Sequence, residues 1–92
     1  MEKSTHSAEY AALRAELKRA REGASLSQRD LAQRLSVPHS WVAKVESGER
    51  RIDVVEFAWF LAACGADALA SAHRVFDTIE RPRKDSHGRR RK

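Results

Sequence analysis

The stretch Leu26–Arg51 reads LSQRDLAQRLSVPHSWVAKVESGERR, and its punctuation decides the fold. Ser27 can cap a helix, with Asp30 three residues on as a shorter substitute for glutamate in a capping box. Leu31, Ala32 and Leu35 then form one apolar face, while Gln28, Arg29, Gln33 and Arg34 form a polar one. Ser36-Val37 break the pattern. Pro38 suits the first turn of a further helix, because a proline there lacks only an N–H that would have no helical partner. This helix runs to about Ser47, buries Val42 and Val45, and stops at Gly48. Two short amphipathic helices joined by a tight break form a helix-turn-helix, about residues 27–47. Its second helix carries His39, Ser40 and Lys44 on the face opposite the valines, a polar face suited to a major groove about 12 Å wide.

Working outward, Tyr10, Leu13, Leu17 and Ala20 share one stripe of a helix from about Ser7 to Glu22, and Gly23 stands where a terminator is expected. Downstream, Glu49, Arg50 and Arg51 make a charged loop. Asp53 can cap a fourth helix to about Cys64, closed by Gly65. Asp67 can cap a fifth, from Ala68 to about Glu80, and Pro82 ends the pattern. With no strand-period alternation, no repeat and no glycine-rich phosphate loop, the expectation is an all-α, compact five-helix domain. Residues 1–7 are expected to fray, residues 8–80 to fold, with helices four and five at 53–80, and residues 81–92 to form a disordered basic tail.

The chain of 92 residues allows one small domain. Its 41% hydrophobic and 34% charged residues fit a globular protein. No apolar run is long enough to span a membrane, and residues 1–10 lack an apolar signal core, so a cytoplasmic protein without membrane contact is expected. The single cysteine, Cys64, forms neither an internal disulfide nor a zinc site and reads as a small core residue. His6, His73 and His87 read as solvent-exposed, and no His/Cys spacing suggests a metal or cofactor.

The net charge of +5 is unevenly spread. Residues 81–92 carry +6 and residues 1–80 carry −1; within the latter, residues 1–51 carry +3 and residues 52–80 carry −4. One basic and one acidic half imply that a single face meets a polyanion. The tail reads either as a strand along flanking phosphates or as a solubilising end. Enzymatic activity is not expected: Glu46, Glu49, Asp53 and Glu56 cluster in sequence, but without a nucleophile or pocket signature.

These residues resemble the lambda repressor/Cro-like (XRE) family of helix-turn-helix regulators. The pattern L-S-Q-x-x-L-A-x-x-L at Leu26–Leu35 is followed by V-P-x-S-x-V at Val37–Val42. K-V-E-S-G-E-R-R at Lys44–Arg51 and D-V-V-E-F at Asp53–Phe57 complete it. The resemblance covers roughly residues 13–65. It implies a four- or five-helix lambda-repressor-like fold, major-groove binding of double-stranded DNA by the third helix, and a homodimer on a palindromic operator. It further implies that His39 and Ser40 read bases and that Gln28 anchors its helix to a phosphate. Ser47, Arg50 and Arg51 would grip the backbone, and Arg21 and Glu46 would form a structural ion pair. Lys44, one turn along, can reach guanine or a phosphate. Trp41 stands where the family often has Thr, Ser or Phe and reads as packing on sugar-phosphate or on a thymine methyl, or else as core.

Helix four departs from the family pattern. Val54, Phe57, Phe60, Leu61 and Cys64 suffice for a core face, yet Val55, Trp59 and Ala62 add a second apolar stripe. Helix five offers Leu69, Ala72, Phe76 and Ile79. Either helix five folds back over Trp59, or the two helices build a two-fold interface; a homodimer with Val55, Trp59, Phe76 and Ile79 at that interface is expected. The functional expectation is a sequence-specific transcriptional repressor acting by occlusion. The alternative is an antitoxin-type protein-interaction module that masks a partner and autoregulates. RNA binding fits less well, since the A-form major groove is too narrow for such a helix.

Overall fold

The computed structural model describes residues 7–79. The expected frayed segment before Ser7 and the basic tail, with His6 and His87, lie outside these residues. Among the described residues there are five α-helices and no strand: α1 Ala8–Gly23, α2 Gln28–Leu35, α3 His39–Ser47, α4 Val54–Ala63 and α5 Ala68–Thr78. None is long and apolar enough to cross a membrane.

Side chains written into the sequence start most of these helices. Ser7 Oγ accepts from the Tyr10 N–H at 3.1 Å and starts α1. Ser27 and Asp30 bond each other's backbone N–H groups, both at 3.0 Å, in a reciprocal box at the head of α2. Asp53 and Glu56 do the same at α4, at 2.8 and 3.1 Å. Asp67 Oδ1 accepts from the N–H groups of Leu69 and Ala70 at α5. Pro38 is the residue before α3 and supplies no side-chain cap, so α3 begins one residue later than a proline in its first turn would put it.

The first and third helices end where their glycines were expected to end them, but not all by the same geometry. Gly48 (φ +88°) and Gly65 (φ +68°) take the left-handed conformation that glycine permits. Gly23 does not; α1 ends through Ala24, and the left-handed residue of that turn is Ser25, at φ +59°. Ser36, at φ +58°, closes α2 in the same way and makes the break between α2 and α3.

The core gathers Leu17 from α1, Leu31 and Ala32 from α2, Val42 and Val45 from α3, and Phe60 and Leu61 from α4 with its C-cap Cys64. Cys64 is buried, which pushes its thiol pKa up and leaves it a packing group. Phe57 is half-buried against this core, but Val54 is 78% exposed and does not join it. Val54 is the first residue of α4, before the helix dips into the core.

Helix α5 settles differently from the folded-back arrangement. It packs along α1 through Ser71 and Val75, not through the Leu69–Ala72–Phe76–Ile79 stripe. Trp59 stays 59% exposed, so α5 does not cover it. The reason is ionic. Glu16 of α1, only 7% exposed, receives Arg74 of α5 at 2.9 Å and Arg19 at 2.6 Å. The small Ser71 is fully buried there, and its hydroxyl accepts from Arg74 Nη2 at 3.4 Å. Arg19 above all, then Arg74 and Ser71, hold the Glu16 pKa down at about 2 against the opposing effect of burial.

That depression fixes the sign of a pH effect. The Glu16 contribution is complete above the usual carboxylate value of 4.5 and is lost as pH falls through about 2. Glu16→Gln is expected to lower stability at neutral pH by about 2 kcal/mol. Urea denaturation should show the gap between variant and wild type closing as the pH is taken from 5 toward about 2.

Candidate nucleic-acid interface

The geometry of α3 follows from its two inward valines. Val42 and Val45 are fully buried, which fixes the rotation of the helix and turns His39, Ser40 and Lys44 to the exposed side. An imidazole, a hydroxyl and an ammonium thus share one outward face, all groups that can hydrogen-bond base edges. The residue between them, Trp41, is half-buried and packs against the core with part of its ring outside.

Helix α3 is held at its angle by a polar cluster. Arg21 of α1 forms a forked pair with Glu46 of α3, Nε to Oε2 at 2.7 Å and Nη2 to Oε1 at 3.0 Å. Its Nη1 donates to the Leu26 carbonyl at 2.8 Å, which ties in the loop between α1 and α2. Gln28 of α2 donates to the same Glu46 Oε1 at 2.9 Å. Both ionic side chains are nearly buried, at 10% and 5% exposure, so the pair is not screened like a surface one. These bonds push the Arg21 pKa further up. The Gln28 amide, expected at a phosphate, is therefore turned inward to Glu46.

Arg14, which carries no sequence motif, adds to this cluster. Its Nη1 donates to the Glu46 carbonyl at 3.3 Å near the C-terminal end of α3, where helical carbonyls lack partners. The packing is close: a Cβ at Gly48 would stand 3.2 Å from Arg14 Nε.

Beyond α3, Ser47 is exposed; its hydroxyl donates to the Lys44 carbonyl at 3.2 Å. Arg51 is exposed and lies over the Tyr10 ring, 4.8 Å from its centroid, while the Tyr10 hydroxyl accepts from the Ile52 N–H at 2.8 Å. Arg50 lies over the Trp41 ring at 5.0 Å and bonds both oxygens of Glu56, at 3.2 and 3.0 Å. The loop is thus close to α3 but strongly engaged with the protein itself. Elsewhere, Val55, Trp59, Leu69, Phe76 and Ile79 of α4, α5 and its C-cap stand exposed.

Sequence reasoning missed Arg14, Glu16 and Arg74. The Glu16–Arg19 spacing of three residues is visible along a helix, but Arg74 lies 58 positions from Glu16 and only the packing of α5 brings them together.

Comparison with known proteins agrees with this geometry. Residues 12–73 match the family described as a helix-turn-helix domain. Among solved structures, the chain is similar to an XRE-family like protein from Pseudomonas syringae pv. tomato str. DC3000. The two are 40% identical, with a TM-score of 0.74 over 82% of this chain and 94% of the other. No curated protein matches the chain.

Arg21→Lys keeps the charge but loses the fork, and one ammonium cannot serve both Glu46 oxygens and the Leu26 carbonyl. Chemical denaturation is expected to show a loss of about 2–3 kcal/mol, larger than for Lys18→Ala on the exposed side of α1, which should stay within about 0.5 kcal/mol.

Proposed function

The chain belongs to the XRE-like helix-turn-helix family of DNA-binding regulators, and from that premise we propose that it is a sequence-specific repressor in the cytoplasm that occupies a palindromic operator as a homodimer. The observation that carries the reading is the outward face of α3, where His39, Ser40 and Lys44 stand exposed against two fully buried valines. His39 and Ser40 sit in the first turn and read base edges; Lys44, one turn on, reaches guanine or a phosphate. His39 can donate to guanine or accept from a base amine, so it does not by itself name a base. Ser47, Arg51 and the accessible part of Trp41 meet the sugar-phosphate chain and set register without reading sequence. The protein acts by occupancy, as a binding protein and not an enzyme.

The dimer rests on a different observation. Val55, Trp59, Phe76 and Ile79 are 52%, 59%, 68% and 42% exposed, more large apolar surface than one small chain ordinarily leaves open. A two-fold interface through α4 and α5 covers these residues and gives the DNA geometry its meaning: two α3 helices spaced about 34 Å apart, one turn of B-DNA. The same exposed side chains favour the second reading, an antitoxin-type module that covers them with a different protein.

Selection of bound duplexes from a random pool should enrich an inverted repeat, and His39→Ala/Lys44→Ala should abolish that enrichment. Salt-sensitive binding without an enriched sequence would refute operator recognition. Sedimentation equilibrium at micromolar concentration should give the mass of two chains, reduced to one by Trp59→Glu; a wild-type mass of one chain would instead support the partner-protein reading.

A further inference from the structure

Arg50 lies in the basic loop after α3, where a phosphate contact is the expectation. Its surroundings do not suit that role. Nη1 donates to the Arg51 carbonyl at 2.7 Å and to Glu56 Oε1 at 3.2 Å, and Nη2 donates to Glu56 Oε2 at 3.0 Å. The guanidinium carbon lies 5.0 Å from the centroid of the Trp41 ring. The guanidinium is therefore occupied along one edge and over one face, by groups from three different segments. Glu56 is in turn fixed, because its Oε1 also accepts from the Asp53 N–H at 3.1 Å in the capping box of α4. The side chains of Arg50 and Glu56 are 38% and 19% exposed, so this is a partly sheltered pair.

A phosphate at this position would have to draw Arg50 off a carboxylate that already neutralises it. The abandoned carboxylate would then stand close to the phosphate and repel it. Exchanging one anionic partner for another yields little, and the counterion release that drives phosphate binding is diminished for a cation already paired.

Mechanically the unit runs from α3 to α4. Trp41 directly follows His39 and Ser40, within the first turn of α3, and Arg50 clamps its ring to the N-terminus of α4. We propose that Arg50 and Glu56 are positioning residues for DNA recognition, a strut that holds Trp41 and with it the base-reading turn of α3, and that Arg50 is not a phosphate contact. This rests on the reading of α3 as the element that recognises DNA sequence. The distinction is chemical, because the two roles of Arg50 give Glu56 opposite signs. If Arg50 grips a phosphate, Glu56 competes with the DNA. If Arg50 is a strut, Glu56 supports recognition.

The test compares wild type, Arg50→Met and Glu56→Gln on the selected operator and on random duplex across a salt series. Met keeps much of the apolar stem; Gln keeps an oxygen for the Asp53 N–H, so α4 retains its cap. The strut predicts that both variants lower the ratio of operator to random-duplex affinity about tenfold while the log–log salt slope stays at the wild-type value. Arg50→Met lowering the slope by about one unit, with Glu56→Gln binding more tightly than wild type, would overturn it. A readout without DNA separates this proposal from the premise. The chain has two tryptophans, and the Trp59 indole N–H resonance is assigned by its loss in Trp59→Phe. The Trp41 resonance should move in both Arg50→Met and Glu56→Gln. If wild type prefers no duplex, the recognition reading fails, and an unmoved Trp41 resonance would in addition sink the strut.

Discussion

The forked bond between Arg21 and Glu46 is the constraint on which the arrangement of the first three helices depends. Taking two charges out of water costs several kcal/mol, and only dense hydrogen bonding offsets it. Here the donors come from different places: Arg21 from α1 and Gln28 from α2, with the Leu26 carbonyl closing the cluster from the loop between them. Valines on one face of α3 can fix its rotation, but apolar contacts are non-directional and leave its tilt soft. A planar guanidinium bonded at both Glu46 oxygens is directional, and it supplies the angle that Val42 and Val45 cannot. Arg14 acts on the same helix from the same side, through the Glu46 carbonyl.

Several arginines among the described residues act as internal fasteners. Arg34 donates to the Ala63 carbonyl at the C-terminal end of α4, Arg74 joins α5 to α1 through Glu16, and Arg50 joins the loop to α4 through Glu56. The basic balance of residues 1–51 is therefore a poor measure of the charge offered to DNA, since several of its cations already face carboxylates or carbonyls. The acidic balance of residues 52–80 is likewise partly structural, with Glu56 serving both a cap and an arginine. The composition of residues 1–51 thus overstates the unengaged positive charge that its helices present.

The elements whose signals are local were legible in the sequence. Ser27 with Asp30 and Asp53 with Glu56 announce helix starts, because a capping box is completed within three residues. Gly48 and Gly65 announce ends. Gly23 is the last residue of α1, as its position announces, but a serine two residues on takes the left-handed position, at a modest cost that the turn tolerates. The orientation of α5 was not legible. Its stripe of Leu69, Ala72, Phe76 and Ile79 is the more apolar face, yet Ser71 and Val75 are the buried residues of α5 and Arg74 bonds α1, where Glu16 offers a buried carboxylate already held by Arg19. Periodicity shows that a helix has a face, and it does not show which of two faces its partner requires. The same holds at α3, where the exposure of His39, Ser40 and Lys44 followed from spacing but the engagement of Gln28 and Arg50 with carboxylates did not.

The small number of reading side chains bears on the proposed two-fold arrangement. On the proposed reading, one α3 offers bases three exposed side chains, each good contact discriminating by about 1–3 kcal/mol. A single helix thus separates right from wrong sites by at most several kcal/mol, against about a million or more competing sites in a genome. Doubling the reading helix on a rigid two-fold axis squares that discrimination without adding a residue to the chain. The requirement is rigidity: α5 must be fixed to α1, and α1 to α3, or the spacing of the two reading helices blurs. The Glu16–Arg74 and Arg21–Glu46 pairs are both anchored on α1, five residues apart in sequence. Helix α1 therefore ties α5 to α3, since each is bonded to it through a charged pair. An interface on α4 and α5 can set the separation of two α3 helices because α1 fastens both α5 and α3 through ionic groups.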